Sequence, residues 1–519
     1  MLEFNNVSIT LINNNRPIIK DFSFVLHPKG KIAIIGEEGN GKSTLLKLVV
    51  DSKKVEEYAS VKGNINTHNM TIGYLEQSLD ASWNNESPLN FFLKKEPSNE
   101  LNYDNYNLLI DFYTYIAKFN VRKSVLNDNE VMGNLSGGEK VKLQLIKILC
   151  HNPDILLLDE PTNDIDIDTL KWLEDFINNT EKPILYISHD ETLLERTSTG
   201  IIHLEQIKRN TECRHTISYV SYKEYVDQRI RNLSHQEQVA KKERNDYNKQ
   251  LASFKEVFQK VEYQQNTITR ADPHGAALLK KKMKSLKSQE KRYEREKNDF
   301  TKMPDVEEAI NLQNAEIEKI PNGKIILDLN LSHLKVGNVI LSRNIKLLVK
   351  GKSHLVIIGQ NGSGKSTLIK EIYQILSQRK DIILGYMPQN YEDLLDLEMT
   401  PIDYLSKKDT SKNFITKART YLGSLKFKDE EVTSKIKLLS GGQKAKLLLL
   451  KLILEKSNVL LLDEPTRNLS PLSNPVIRKL LKDFEGTIIS VSHDRKYIDE
   501  VCTNIYELTK DGLISKSSY

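Results

Sequence analysis

Apolar and polar positions alternate from Leu2 to Ile12 and again from Ile18 to Leu26, the two-residue period of β-strands. A short apolar run follows, Ile32-Ala33-Ile34-Ile35, and beyond it the apolar spacing turns helical. Further runs at Ile72-Gly73-Tyr74-Leu75, Ile155-Leu156-Leu157-Leu158 and Ile184-Leu185-Tyr186-Ile187 read as strands, while Val141, Leu145, Ile148 and Leu149 share a helix face. The pattern returns near the other end: Leu355-Val356-Ile357-Ile358 leads into helical spacing, and Leu460-Leu461-Leu462 repeats the later strand. Between the copies the period changes. Leu251, Phe254, Phe258 and Val261, then Leu279, Met283, Leu286, Tyr293 and Phe300, recur at heptad spacing, which predicts two long helices in an antiparallel hairpin. Pro273 and Gly275 punctuate the turn within Asn266–Gly275. A first helix of roughly 40 residues, at about 1.5 Å each, extends some 60 Å.

The chemistry sits where strands end. Gly36-Glu37-Glu38-Gly39-Asn40-Gly41-Lys42-Ser43-Thr44 and Gly359-Gln360-Asn361-Gly362-Ser363-Gly364-Lys365-Ser366-Thr367 both fit the phosphate-cradling pattern G-x-x-x-x-G-K-[ST], each between a strand and a helix. Glycines let backbone N–H groups turn inward around phosphates, and the helix N-terminus adds a favourable dipole. Lys42 and Lys365 are then expected on the β- and γ-phosphates, and Ser43 and Ser366 on Mg²⁺. Other strands end in Gln77, in Asp159-Glu160-Pro161-Thr162 and in Ser188-His189-Asp190. In a parallel α/β sheet the strand C-terminal ends face the ligand crevice. Asp159 is thus expected near Mg²⁺, Glu160 near an attacking water, His189 near the γ-phosphate, and Gln77 between metal and water.

The second copy carries the same series: Lys365, Gln389, Ser440-Gly441-Gly442, Asp463-Glu464 and His493. Lys365 lies 323 positions after Lys42 and Gln389 lies 312 after Gln77. The offset is 304 for Ser136 to Ser440, Asp159 to Asp463 and His189 to His493. The first copy is therefore longer by 19 residues ahead of Ser136, and colinear with the second from there on.

This order, with Leu135-Ser136-Gly137-Gly138-Glu139 and Leu439-Ser440-Gly441-Gly442-Gln443, resembles the nucleotide-binding domain of ABC ATPases. The resemblance implies an α/β fold: two P-loop ABC-type ATPase domains in tandem joined by a long α-helical hairpin. The expected limits are 1–219, 220–305 and 306–519. It also implies ATP and Mg²⁺, and head-to-tail pairing within one chain. One site then combines Lys42, Ser43, Gln77, Asp159, Glu160 and His189 with Ser440, Gly441 and Gly442. The other combines Lys365, Ser366, Gln389, Asp463, Glu464 and His493 with Ser136, Gly137 and Gly138. The chain departs from the family at Asn163-Asp164-Ile165-Asp166 and at Arg467-Asn468-Leu469-Ser470, where Ser470 replaces the usual aspartate. Unequal turnover of the two sites is expected from that loop. No aromatic precedes either phosphate loop at the base-stacking position; Leu11, Ile12, Leu334 and Val336 are aliphatic.

Composition changes the picture only locally. The chain has 519 residues and a net charge of +5. No apolar run approaches the roughly 18 residues of a membrane helix. Residues 1–4 lack a signal-peptide pattern, and Cys150, Cys213 and Cys502 lie far apart, so a reducing cytoplasm is expected. Residues 223–302, however, hold 20 Lys+Arg against 12 Asp+Glu, a local +8, leaving the rest near −3. Lys280, Lys281, Lys282, Lys284 and Lys287 follow the turn, and Arg270 and His274 lie in it. Such a cluster suits the phosphates of folded RNA, although a solvated coiled-coil face has the same composition.

Tandem ABC domains with a long basic linker and no membrane segment resemble the ABC-F family. The resemblance implies binding to the 70S ribosome near the exit-tRNA site, with the linker toward 23S rRNA, the P-site tRNA and the peptidyl-transferase centre. Only 58 positions separate Gln77 from Leu135 and only 26 follow His493, which resembles the antibiotic-resistance members that protect ribosomes from lincosamides, pleuromutilins and streptogramin A. The competing readings are a general translation or ribosome-assembly ATPase, a transporter ATPase with a separate membrane partner, and a DNA-repair ATPase.

Overall fold

The computed structural model describes residues 1–13, 15–127, 129–207, 212–267, 273–298, 300–301 and 318–517. The chain forms two compact units, Met1–Tyr222 with Glu307–Tyr519, and Lys223–Val306.

The first copy in the larger unit starts with β1 (Leu2–Leu11), β2 (Pro17–Leu26), β3 (Lys31–Ile35), β4 (Ala59–Asn66) and β5 (Ile72–Leu75). It continues with β6 (Ile155–Asp159), β7 (Ile184–Ile187), β8 (Gly200–Ile207) and β9 (Glu212–Ser218). β1, β2 and β4 make an antiparallel sheet of order β2-β1-β4. The others form a sheet of order β5-β6-β7-β3-β8-β9, parallel except for β9. Every residue of β3, β6 and β7 is buried. Such strands are covered on both faces, one of them by the helix Lys42–Val50 together with the β2-β1-β4 sheet, which is why they read as continuous apolar runs rather than alternations. Each fully buried leucine or isoleucine contributes roughly 1.5–3 kcal/mol.

The second copy repeats this plan, with a two-stranded antiparallel sheet in place of three strands, in β10 (Ile325–Val336), β11 (Val339–Lys350), β12 (His354–Ile358), β13 (Leu384–Met387), β14 (Val459–Asp463), β15 (Thr487–Val491), β16 (Asn504–Thr509) and β17 (Gly512–Lys516). Its large sheet runs β13-β14-β15-β12-β16-β17, element for element the order of the first. The register is repeated too: Asp159 pairs with Ile187, and Asp463 with Val491. Parallel pairing therefore brings the ends of β3, β5, β6 and β7, and of their counterparts, to one edge of each sheet.

The smaller unit is built from the helices Tyr222–Thr267, of 46 residues, and Pro273–Asn298, of 26. At about 1.5 Å per residue the first spans roughly 69 Å. The rings of Tyr247 and Phe300 lie 5.2 Å apart and those of Phe254 and Tyr293 5.6 Å, so the helices run antiparallel. Leu251, Phe258, Leu279, Met283 and Leu286 join this seam. Lys280, Lys281, Lys282, Lys284, Lys287 and His274 are exposed. Arg270 lies outside the described residues, as does Ile268 within the turn.

Candidate active sites

Both phosphate loops depend on left-handed glycines. Gly41 (φ 87°) and Gly364 (φ 97°) precede the helices Lys42–Val50 and Lys365–Ser377. A Cβ on Gly36 would stand 2.3 Å from the Leu204 carbonyl, so this loop must begin with glycine. Inside each curl the lysine is buried and ties the loop to itself. Lys42 Nζ donates to the carbonyls of Gly36 (2.9 Å) and Glu37 (3.0 Å), and Lys365 Nζ to those of Gly359 (2.8 Å) and Gln360 (2.9 Å). Asn40 turns its amide away to the Leu204 carbonyl at 3.0 Å, bracing the loop against β8.

Ser43 Oγ donates to Asp159 Oδ1 at 2.9 Å, and the Tyr74 hydroxyl donates to Oδ2 at 3.2 Å. Burial raises the pKa of Asp159 and of Asp463. Asp463 Oδ1 is buried without a hydrogen-bond partner. An orphaned carboxylate oxygen beside a hydroxyl is a donor set that suits a hard cation, so these residues fit Mg²⁺. Among the described residues no cluster of three or more His, Cys, Asp or Glu forms a metal cage. A cation here therefore needs oxygens from water or a phosphate as well.

The glutamates after β6 and β14 occupy left-handed backbone, φ 50° at Glu160 and 53° at Glu464. This conformation is rare for such residues and costs of order 1–3 kcal/mol. Glu160 N–H donates to Ile187 O (3.1 Å) and Glu464 N–H to Val491 O (2.9 Å), bonds that fix the turn and aim each side chain at the histidine after the next strand. The copies then diverge. Glu160 Oε1 and His189 Nε2 are 2.8 Å apart, but Glu464 Oε1 and His493 Nε2 are 3.8 Å apart. Burial raises the Glu160 pKa, but the His189 charge and hydrogen bonds and the Lys42 charge outweigh it and hold Glu160 below the usual range. Burial and the Asp463 charge push Glu464 up to about 8. Burial and the Lys365 charge bring His493 down to about 3.

Ser136 and Ser440 cap the helices Gly137–Cys150 and Gly441–Leu454, each accepting from an N–H three residues on (Glu139, Gln443) at 3.3 Å. The structure brings each helix start to the opposite phosphate loop. Ser136 and Gly137 line a cavity of about 940 Å³ with Gly362, Gly364, Lys365, Ser366, Thr367, Gln389, Asp463, Glu464 and His493. On the other side Gly442 N–H donates to Glu38 Oε2 at 2.9 Å. Gly138 packs behind the turn, where a Cβ would meet Thr169 Oγ1 at 2.4 Å. Thr44 is half-buried and Gln77 is exposed. Ser363 Oγ is buried without a hydrogen-bond partner, and Gly39 and Gly359 take positive φ within their loops.

Several contributors escaped the sequence reading. Glu37 accepts from Ser470 Oγ (2.8 Å) and Ser473 Oγ and pairs with Lys446 Nζ at 3.3 Å, all in the second copy. Asn361 was expected at the nucleotide, but its hydrogen bond across the copies, from Nδ2 to Asp164 O at 2.5 Å, was not. Arg478 pairs with Glu191, and Arg495 with Glu174 and Asp190, across the copies. Leu341 joins Val336 in the cavity wall, and Ile18 lies under Gly41 as Leu341 does under Gly364. Ile18 and Leu341 differ by the same 323 positions as the two lysines, which was the available signal. The signal for Glu37 and Glu38 was their replacement of Gln360 and Asn361 in an otherwise matching loop. Arg122, also in the cavity wall, carries no spacing that marks it.

The ABC transporter family matches residues 19–163 and 342–467. The chain is 31% identical to the "ATP-binding protein Uup" of Buchnera aphidicola subsp. Acyrthosiphon pisum, covering 99% of this chain and 81% of that protein. It is 29% identical to the "Putative ATP-binding protein YdiF" of Bacillus subtilis, covering 96% of this chain and 78% of that one. It is 25% identical to "ABC transporter F family member 5" of Arabidopsis thaliana, covering 96% and 73%. Among solved structures, the archaeal ribosome recycling factor aABCE1, in complex with the ribosomal stalk protein aP1, superposes with a TM-score of 0.58 at 16% identity, covering 98% of this chain and 90% of that one.

Proposed function

This chain belongs to the ABC family as an ATP hydrolase with two ATPase domains in tandem, and on that premise we propose that it is an ABC-F protein that uses ATP to act on the ribosome. ATP binds at two composite sites, each sharing a phosphate loop of one domain with the Ser-Gly-Gly turn of the other. Lys42 and Lys365 release their own loop carbonyls and bind the β- and γ-phosphates. Ser43 with Asp159, and Ser366 with Asp463, would hold Mg²⁺, with Gln77 and Gln389 as further ligands, and the ion would neutralise phosphate charge. Glu160 and Glu464 polarise the attacking water, and His189 and His493 orient that glutamate and the γ-phosphate. ATP drives closure only as far as it binds the closed pair better than the open one.

Because the nearest positions ahead of the phosphate loops, Leu11, Ile12, Leu334 and Val336, are aliphatic, the base is held without an aromatic stack. No helix among the described residues is long and apolar enough to cross a membrane. The observation that carries the ribosomal reading is the hairpin: Lys280, Lys281, Lys282 and Lys284 are exposed while Met283 and Leu286 fill its seam. A cationic ridge on a stiff helical rod suits RNA phosphates, with Arg270 and His274 as further contacts. F-type naming among the relatives supports the same reading. The finer proposal is that the protein works as a cytoplasmic monomer at the exit-tRNA site. Its linker reaches toward the P-site tRNA and 23S rRNA and displaces lincosamide, pleuromutilin or streptogramin A antibiotics.

The test is sedimentation of the Glu160→Gln, Glu464→Gln protein with 70S particles, with and without ATP. ATP-dependent co-migration is expected. Its absence from a folded, ATP-binding protein defeats the ribosomal reading and redirects the search to membrane or DNA partners. Drug sensitivity of a deletion strain then separates antibiotic protection from a general role in translation or ribosome assembly.

A further inference from the structure

We propose that Glu38 is an internal competitor of the terminal phosphate at the first composite site, so that ATP fills the second site at lower concentration than the first. The inference rests on the nucleotide-site reading above and concerns how the two sites differ.

The two phosphate loops correspond residue for residue, with Glu37 at the place of Gln360 and Glu38 at the place of Asn361. Asn361 directs an N–H at the facing loop, donating to Asp164 O at 2.5 Å. The Glu38 side chain has no N–H to give. Its carboxylate instead receives one, from Gly442 at 2.9 Å. A Cβ built on Gly441 or Gly442 would lie 3.1 or 3.9 Å from the same Oε2, so the carboxylate lies over the whole turn that opens helix Gly441–Leu454. That turn is where backbone N–H groups and the helix dipole stabilise an anion. The chain thus fills the anion position of the second signature turn with a carboxylate of its own.

Glu38 is held there by its neighbour. Glu37 is fastened to the second copy by Ser470, Ser473 and Lys446, which fixes the loop from which Glu38 projects. A γ-phosphate arriving at this turn meets a like charge on the same donor, and one N–H does not serve two anions at once. ATP must therefore displace Glu38 before the first site closes. The second site has no counterpart to this carboxylate in its phosphate loop. Gln360 and Asn361 are neutral, and both face the cavity that Lys365, Ser366, Ser136 and Gly137 share.

The sites are read one at a time by isothermal titration with Mg-ATP on the full chain carrying Glu160→Gln and Glu464→Gln. Lys365→Ala leaves only the first site, and Lys42→Ala leaves only the second. With the first site alone, Glu38→Asn and Glu38→Gln are each expected to tighten binding about tenfold, equivalent to about 1.4 kcal/mol. With the second site alone, the same substitutions are expected to leave binding within about twofold. Glu38 is exposed, so neither substitution disturbs the core, and matching thermal melts verify this. Unchanged first-site binding in both variants overturns the proposal, as does equal tightening at both sites. Failure of the chain without loop substitutions to bind ATP at all overturns the nucleotide-site reading itself, a result distinct from either.

Discussion

Ser470 donates its hydroxyl to Glu37 Oε1 at 2.8 Å, joining the loop after β14 to the first phosphate loop. The corresponding residues at the other site are Asp166 and Gln360, which both line the cavity at the second phosphate loop. Acid and neutral residue have changed places: one site holds Glu37 with Ser470, the other Gln360 with Asp166. Each junction thus carries one carboxylate at this pair, not two. The departure from the family pattern at Ser470 is compensated inside the facing loop.

Restoring the family aspartate should therefore harm this chain. Ser470→Asp removes a hydrogen bond from Glu37 and sets a second carboxylate against it, for an expected loss of about 1–3 kcal/mol. Glu37→Gln in the same chain should recover most of that loss. A double-mutant cycle by urea denaturation measures the coupling. Additive effects would refute the pairing.

The same substitution should move stability in opposite directions in the two copies. Glu160 has its pKa lowered, chiefly through His189 against the pull of burial, so its ionised form is stabilising. Glu160→Gln is expected to cost about 1–3 kcal/mol at pH 7. Glu464, pushed up to about 8 by burial and Asp463, holds its proton longer in the folded chain than its usual value of 4.5 allows when unfolded. Between those values the folded state binds more protons, so the Glu464 contribution falls as pH rises. Glu464→Gln should leave stability nearly unchanged at pH 5 and raise it relative to the unsubstituted chain as pH approaches 8. His493, brought down to about 3, works the other way below about 6.5. It is present in both chains and cancels in the difference. Melting temperatures across pH 5 to 8 decide the matter, and a constant difference would contradict the assignment.

The strand ends and phosphate loops were legible because each residue type there answers a local demand. Glycine permits positive φ at Gly41 and Gly364, and continuous apolar runs mark strands buried on both faces. The repeat offsets even carried the equivalence of the two sheets, since two copies of one sequence pattern fold alike. The side-chain pairs that join the copies, unlike their head-to-tail pairing, were not legible. Arg495 pairs with Glu174 and Asp190, which lie 321 and 305 positions before it, a separation that no local period spans. Ser470 stood out as a departure from the family pattern, but its pairing with Glu37 escaped for the same reason: nothing local joins the two residues until the copies meet.

Arg495 is 1% exposed and faces Glu174 and Asp190 of the first copy, the latter at 3.1 Å. Arg495→Met keeps the bulk and removes the charge, which leaves the Asp190 carboxylate buried without its arginine and Glu174 with Arg196 alone. Breaking a buried pair in this way typically costs about 3–5 kcal/mol. The urea midpoint should fall accordingly, and Glu174→Gln in the same chain should restore part of the loss. A midpoint that does not move would show that Arg495 does not hold the copies together.

The basic ridge of the hairpin is tested by its salt dependence. Lys280, Lys281, Lys282 and Lys284 are exposed, so replacing all four with alanine spares the seam of Phe254, Val261, Leu286 and Tyr293. Alanine is also the best helix former, so the helix should persist. Each phosphate that a side chain ceases to neutralise reduces the slope of log K against log salt by about 0.7–0.9. Removing these four cations should therefore flatten the slope by about 3 and weaken ribosome binding most at low salt. A solvated face with no RNA partner predicts something else: identical slopes and affinities for the two chains. Binding measured between about 50 and 200 mM salt, the range over which counterion release is read, separates the two. Equal slopes would remove the lysines from the interface, and the ribosomal reading would then have to rest on the ATPase body alone.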